Sequence, residues 1–138
     1  MNILFLLQNK TSVCYLEDDC TVRCGLEKMR AHGYSAIPVI TKDGDYCGCV
    51  SEGDFLWHII DYQNNSIRDK ENVLIRDIIR VGWNPAVRVE AQIEELLERA
   101  VNQNFIPVVD DRNKFIGIIT RKDIFKYMIR AYQKQKVR

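Results

Sequence analysis

Histidine is scarce in this 138-residue chain, which has two, His32 and His58. Neither has a base or nucleophile partner at a recognisable spacing, so the sequence offers no catalytic constellation. The five cysteines (Cys14, Cys20, Cys24, Cys47 and Cys49) are odd in number and include no Cys-x-x-Cys pair. That spacing argues against a zinc site, even with His32 or His58 added, and for reduced, mostly packed thiols of an intracellular protein. Cys47 and Cys49 flank Gly48 in a strand-like run, which predicts both on one face. Long apolar stretches are missing too. Ile3-Leu4-Phe5-Leu6-Leu7 is too short to span a membrane and follows no basic residue, so it reads as a lead-in packed on the domain. No signal peptide or membrane span is expected, and the chain reads as cytoplasmic. A strong charge excess is also absent. The formal net charge is +1, which argues against a nucleic-acid binder.

What is present is a repeat. Ile37-Pro38-Val39-Ile40, a turn, and Gly48-Cys49-Val50-Ser51-Glu52-Gly53-Asp54 return as Ile106-Pro107-Val108-Val109, a turn, and Gly117-Ile118-Ile119-Thr120-Arg121-Lys122-Asp123, always 69 residues later. A fixed internal period is diagnostic of duplicated architecture. The charge is divided between the copies. Residues 1–69 carry 6 Lys/Arg and 10 Asp/Glu, and residues 70–138 carry 14 and 9. The basic excess gathers at Arg121, Lys122, Lys126, Arg130, Lys134, Lys136 and Arg138. It reads either as a solvated helix face and tail or as an anion site at Arg121 and Lys122.

Each copy reads as β-α-β-β-α. In the first, Val13 and Tyr15 predict a short strand, and Asp18 or Asp19 a helix cap. Val22, Leu26 and Met29 predict an inward helical stripe ended by Gly33. Residues 36–40 and 46–50 predict strands joined by Lys42-Asp43-Gly44-Asp45, and Ser51 opens a second helix. Polar residues 62–72 read as a linker, and Val73–Ile79 as a short helix. In the second copy, Val87 and Val89 predict the first strand, and Ile93, Leu96, Leu97 and Ala100 the helix. Residues 105–109 and 115–119 predict the hairpin, and 121–132 the closing helix. The first helices align at an offset of 71, so two residues are lost before Pro107, where Asn104 replaces a Gly-containing turn. A unit of this size rarely stabilises itself. Two copies sharing a core would make a pseudo-dimer with two related clefts.

Ser51-x-x-Asp54 and Thr120-x-x-Asp123 each follow a strand and open a helix. The pattern is a helix cap, with the hydroxyl taking a backbone N–H and the acid favouring the positive helix end. It is equally suited to a ligand. A carboxylate offers two acceptor oxygens to a ribose diol, and the adjacent helix N-terminus offers N–H groups to phosphate.

These tandem motifs resemble a pair of cystathionine-β-synthase (CBS) domains, a Bateman module, over roughly residues 8–61 and 75–130. The resemblance implies an α+β fold in which two β-α-β-β-α repeats pack sheet to sheet with pseudo-two-fold symmetry. It implies repeat 1 with its lead-in at 1–61, a linker at 62–74, repeat 2 at 75–132 and a basic tail at 133–138. With nothing left over for a catalytic domain, it further implies a stand-alone regulatory protein and not an enzyme, with no cofactor or metal. In that family the clefts bind AMP, ADP, ATP, S-adenosylmethionine or cyclic dinucleotides. Carried onto this chain, the main cleft combines Lys10, Ser12, Val13, Cys14, Tyr34, Ser35, Ala36 and Pro38 with Thr120, Arg121, Lys122 and Asp123. Asp123 would hold ribose, and Arg121 and Lys122 would meet phosphate. A second cleft combines Trp83, Asn84, Pro85, Ala86, Asn104, Phe105 and Pro107 with Ser51, Glu52 and Asp54. There Glu52-Gly53 replaces the cations, so that cleft is expected to be empty or weak. The segment Gly33–Val39 with Thr120-Arg121-Lys122 also resembles small bacterial CBS proteins that bind cyclic di-AMP, which often lack the carboxylate kept here as Asp123.

The family forms homodimers through its terminal helices, here 54–61 and 123–132. Phe55, Leu56, Ile59, Ile124, Tyr127 and Met128 are the expected interface. Trp57 reads as core or interface, Trp83 as cleft lining or packing, and both histidines as surface residues. The resulting expectation is a sensor that binds an adenine nucleotide and signals to an unidentified regulated protein. The rivals are a cyclic di-AMP receptor and a ligand-free interaction module.

Overall fold

Alternating apolar runs broken by a short polar turn make an antiparallel hairpin in each copy. In a computed structural model describing residues 2–61, 72–80 and 82–136, β3 (Ala36–Ile40) pairs with β4 (Tyr46–Ser51), and β6 (Phe105–Val109) with β7 (Phe115–Thr120). A short parallel strand flanks each hairpin, β2 (Leu16–Glu17) on β3 and β5 (Val87–Arg88) on β6. A further strand, β1 (Gln8–Asn9), runs antiparallel to β7, giving sheet orders β2-β3-β4 and β1-β7-β6-β5. The α-helices among the described residues are α1 (Val22–His32), α2 (Glu52–Asp61), α3 (Ile93–Ala100) and α4 (Arg121–Lys136). Each copy is therefore β-α-β-β-α, an α+β fold.

The hairpins share an irregularity. Val39 pairs with Gly48 but Ile40 with Tyr46, and Val108 pairs with Gly117 but Val109 with Phe115. One residue, Cys47 or Ile116, is thus extra in each strand, a β-bulge. The bulge overrides strict alternation: Cys49 is buried while Cys47 is exposed, so the two thiols do not share a face as expected. Gly48 and Gly117, next to the bulges, have φ of 147° and 154°, a region that side chains strongly disfavour. Pro38 and Pro107 pair on the hairpin side, with Cys49 and Ile118. Pairing with β2 and β5 begins one residue later, which suits a residue lacking an N–H.

Two compact units emerge, Cys14–Trp83 and Met1–Val13 with Asn84–Arg138. The first has a core of Leu16, Val22, Met29, Ile37, Val39, Val50, Phe55 and Ile75. The second is centred on Val87, Leu96, Ile106, Val108, Ile119 and Ile124, and it includes Ile3 and Leu6. The lead-in therefore belongs with the second copy and not, as expected, with the first. Conversely, the stretch before the second copy belongs with the first. Ile75 is wholly buried against Gly25 and Leu16, and Val22 N donates to Val73 O at 2.9 Å. Each copy is completed by the segment that precedes the other.

Other local expectations shift. Val13–Tyr15 is not a strand; residues 10–12 form a 3-10 turn and β2 starts at Leu16. Thr21, rather than Asp18 or Asp19, caps α1, its Oγ1 accepting from Cys24 N at 3.1 Å. In the α1 stripe Val22 and Met29 are buried but Leu26 is exposed, and Gly25 takes the inward position. Gly33 ends α1 as expected. Val73–Ile79 holds only a 3-10 turn, Ile75–Asp77, and the strand expected at Val87 and Val89 covers Val87–Arg88. The supposed tail is partly helix, since α4 runs to Lys136. Residues 62–71, most of the assigned linker, lie outside the described residues. His58 is buried, not at the surface. Among the described residues no helix is long and apolar enough to cross a membrane.

Candidate functional site

The end of each hairpin delivers a hydroxyl and a carboxylate to the mouth of a helix. Ser51 and Thr120 close β4 and β7, and Asp54 and Asp123 lie in the first turns of α2 and α4. One backbone bond that ties each helix start to its hairpin is duplicated. Glu52 N donates to Ser35 O at 2.9 Å, and Arg121 N to Asn104 O at 2.8 Å, the same pair of positions 69 residues apart.

The side chains then diverge. In the first copy the motif closes on itself. Asp54 Oδ2 accepts from Ser51 N at 2.8 Å and from Ser51 Oγ at 3.0 Å, and Asp54 N donates to Ser51 Oγ at 3.3 Å. This is a reciprocal capping box. The other oxygen, Oδ1, is 2.7 Å from Arg80 Nε. Arg80 also donates from Nη2 to Ser51 Oγ at 3.2 Å and lies 4.4 Å from the centroid of the Trp83 ring.

In the second copy the hydroxyl caps the helix, with Asp123 N donating to Thr120 Oγ1 at 3.1 Å. The carboxylate instead accepts from a neutral amide, Gln8 Nε2, at 3.1 Å. Among the described residues no lysine or arginine pairs with it. Asp123 is half-buried at the start of a 16-residue helix, where the peptide dipoles favour negative charge.

Arg121 and Lys122 lie on another side of α4. With Asn104, Thr120, Phe125, Lys126 and Ile129 they line a groove of about 560 Å³. Asp123 is not in its wall. Arg121 is anchored by its Nε donating to Gln103 O at 3.2 Å. The groove sets three cations, a hydroxyl and an amide beside the apolar side chains of Phe125 and Ile129, so charge for a phosphate and apolar surface lie together.

The expected main-cleft residues divide between the units. Lys10, Ser12 and Val13 belong with Thr120, Arg121, Lys122 and Asp123, while Cys14, Tyr34, Ser35, Ala36 and Pro38 belong to the other unit. Lys10–Ser12 is a 3-10 turn. Tyr34 is exposed and stacks on His32, with ring centroids 5.7 Å apart. Pro38 is buried. Burial raises the thiol pKa of Cys14, against the opposing charge of Lys28.

The second set divides likewise. Trp83 lies with Ser51, Glu52 and Asp54, and Asn84, Pro85, Ala86, Asn104, Phe105 and Pro107 with the other unit. Asn84 is buried with φ of 55° and is committed to structure. Its Nδ2 donates to Phe105 O at 3.1 Å, and its Oδ1 accepts from Arg99 at 2.8 Å. Arg99 also donates to Pro85 O.

Two residues escaped the sequence reading, Gln8 and Arg80. Each lies on a segment that passes the bulge glycine of its unit, Gln8 in a strand paired with β7 and Arg80 outside any strand. A Cβ on Gly117 would lie 2.1 Å from Gln8 O and 3.0 Å from Leu7, and one on Gly48 would meet Ile79 at 3.0 Å and Arg80 O at 4.0 Å. The signal was faint, because Gln8 and Arg80 stand 72 apart and only a gapped alignment would pair them.

Comparison with known proteins agrees with this duplicated architecture. A family model described as the CBS domain matches residues 10–61 and 72–130. An uncharacterised protein of Methanopyrus kandleri is 29% identical over 103 residues, 72% of this chain and 49% of that protein. The chain thus spans about half the length of that relative. Among solved structures, CbpB in complex with c-di-AMP superposes with a TM-score of 0.88 at 24% identity, covering 99% of this chain and 89% of that one. CBSX2 in complex with AMP gives 0.77 at 20% identity, covering 95% and 98%. With both of its copies matched, the chain belongs to the CBS-domain family.

Proposed function

We propose that this chain is a regulatory module that binds an adenosine-containing ligand (AMP, ADP or ATP) at the Thr120–Asp123 copy and signals ligand state to a partner without covalent chemistry. The observation that carries this reading is the Asp123 carboxylate. It is half-buried at a helix mouth and, among the described residues, shared only with the amide of Gln8, so both ribose hydroxyls could replace or join that amide on its two oxygens. CbpB bound to c-di-AMP and CBSX2 bound to AMP support the ligand class. Parts for Cys14, Tyr34, Ser35, Ala36 and Pro38 rest on the family resemblance. Calorimetric titration with AMP, ADP, ATP, S-adenosylmethionine and cyclic di-AMP tests the reading. Saturable binding of at least one is expected, with about 2.7 kcal/mol of added stability at a hundred times Kd. No heat and no thermal shift with any of them would leave a ligand-free interaction module.

A second reading, cyclic di-AMP, is favoured by the groove holding Arg121, Lys122 and Lys126, since two phosphates need more than one cation. Arg121→Ala is expected to weaken ADP, ATP or cyclic di-AMP about tenfold while adenosine changes little, the difference of one charge-assisted contact. Equal losses would remove Arg121 from phosphate binding.

A second copy of the chain is the partner that the exposed helix faces suit best. Leu56, Trp57, Ile59 and Ile60 on α2 are 43–63% exposed, as are Phe125, Ile129 and Tyr132 on α4 at 51–60%. Phe55 and Ile124, expected at the interface, are instead core, at 2% and 0% exposed. Sedimentation should show a dimer that Trp57→Glu with Ile129→Glu dissociates. A monomeric parent would refute it.

A further inference from the structure

We propose that Arg80 makes the two hydroxyl–carboxylate copies inequivalent by occupying Asp54, so that the Ser51–Asp54 copy is closed to ribose while the Thr120–Asp123 copy is open. This rests on the reading that these carboxylates grip a sugar diol, and it names the residue that sets how many sugars the chain takes.

The two carboxylates start from the same scaffold. Each opens a helix after a glycine-bulged strand, and each faces the segment that crosses beside that bulge. Beside the bulge glycine that segment carries Gln8 in one unit and Arg80 in the other. The consequences differ in kind. An amide places one neutral donor on Asp123 at 3.1 Å. A ribose hydroxyl can displace it at the cost of one ordinary hydrogen bond.

Arg80 instead places a full positive charge 2.7 Å from Asp54, whose side chain is 7% exposed. Its Nη2 takes the Ser51 hydroxyl as well, and the Trp83 ring supports the guanidinium plane. Asp54 Oδ2 is already filled by Ser51 N and Oγ, so the guanidinium takes the remaining oxygen. A diol arriving there must expel a cation from a nearly buried anion, leave that anion short of its charge partner, and offer only neutral hydroxyls in return. Arg80 itself is 53% exposed, so solvent screens part of the pair, but a charge-assisted bond to a nearly buried carboxylate is still harder to displace than a neutral amide. Glu52 does not play this part, because the obstacle is on the carboxylate itself.

The experiment is a calorimetric titration of AMP into the parent, Arg80→Gln, and Arg80→Gln with Asp54→Asn. Glutamine is chosen because Gln8 shows that an amide can donate to the carboxylate of this motif. Arg80→Lys serves as the control that keeps a cation on Asp54. Thermal melts first establish that each variant is folded. The expected result is one AMP per parent chain and per Arg80→Lys chain, two per R80Q chain, and a return to one when Asp54→Asn is added. Two sites in the parent, an unchanged stoichiometry in R80Q, or a second site that survives Asp54→Asn would each overturn the proposal. A parent that binds nothing while R80Q binds through Asp54 would refute the role given to Asp123 and leave Arg80 as proposed. If neither the parent nor R80Q binds AMP, the titration is repeated with ATP, and both readings fall if neither binds that either.

Discussion

Replacing Asp123 by Ala is expected to raise the Kd for AMP about 100-fold, equivalent to about 2.8 kcal/mol. The size follows from what is removed. A carboxylate accepting two ribose hydroxyls makes two charge-assisted hydrogen bonds, each contributing roughly 1.5–3 kcal/mol, less whatever the amide of Gln8 recovers by turning to water. The fold should survive. Thr120 Oγ1 accepts from the backbone N of Asp123, a bond that alanine keeps. What is lost is the favourable charge at the start of α4, roughly 0.3–1 kcal/mol. Calorimetry and a thermal melt on one preparation separate the two effects. Asp54→Ala should do the reverse, costing stability through the abandoned Arg80 and leaving AMP affinity nearly unchanged. If Asp123→Ala binds AMP as tightly as the parent, the carboxylate is only a helix cap.

The second large effect is structural. Gly117→Ala is expected to destabilise the fold by about 3 kcal/mol, lowering the melting temperature by roughly 10 °C. Two costs coincide. The residue sits at φ of 154°, and its new Cβ would stand 2.1 Å from the carbonyl oxygen of Gln8. That obstacle is backbone, so β1 must move off β7 and carry Gln8 away from Asp123. Gly48→Ala is the informative partner. Its φ is 147°, but its Cβ would meet Ile79 Cγ2 at 3.0 Å, a side chain that can turn aside. Its loss should be less than half as large. Equal melting temperatures for the two variants would contradict the close crossing of β1 at Gly117.

Both effects arise where a segment from outside a copy meets its hairpin, and that meeting is where the sequence was hardest to read. The hairpins, their turns and the two helix-opening carboxylates were legible because each is a local pattern: alternation, an Asp-Gly turn, a hydroxyl three residues before an acid. The constant offset of 69 marks equivalent positions, and the paired bonds Glu52–Ser35 and Arg121–Asn104 obey it. Local patterns were ambiguous in α2. Phe55, Leu56, Trp57, Ile59 and Ile60 surround the helix with apolar groups, and only packing decides that Phe55 is buried while Trp57 is 63% exposed. Alternation misplaced Cys47 because a bulge adds one residue and turns the next face outward.

By itself, then, the sequence determined that a β-α-β-β-α unit occurs twice and that each unit presents one acid at the mouth of a helix, since hydrogen bonding and apolar periodicity act between near neighbours. The tertiary structure alone decided which segment covers each acid. Arg80 and Asp54 are far apart in the chain, as are Gln8 and Asp123, and only the exchange of lead-in segments between the units sets a guanidinium on one carboxylate and an amide on the other. Charge and burial at that meeting, not the motif, separate a carboxylate bound in an ion pair from one offered to a ligand.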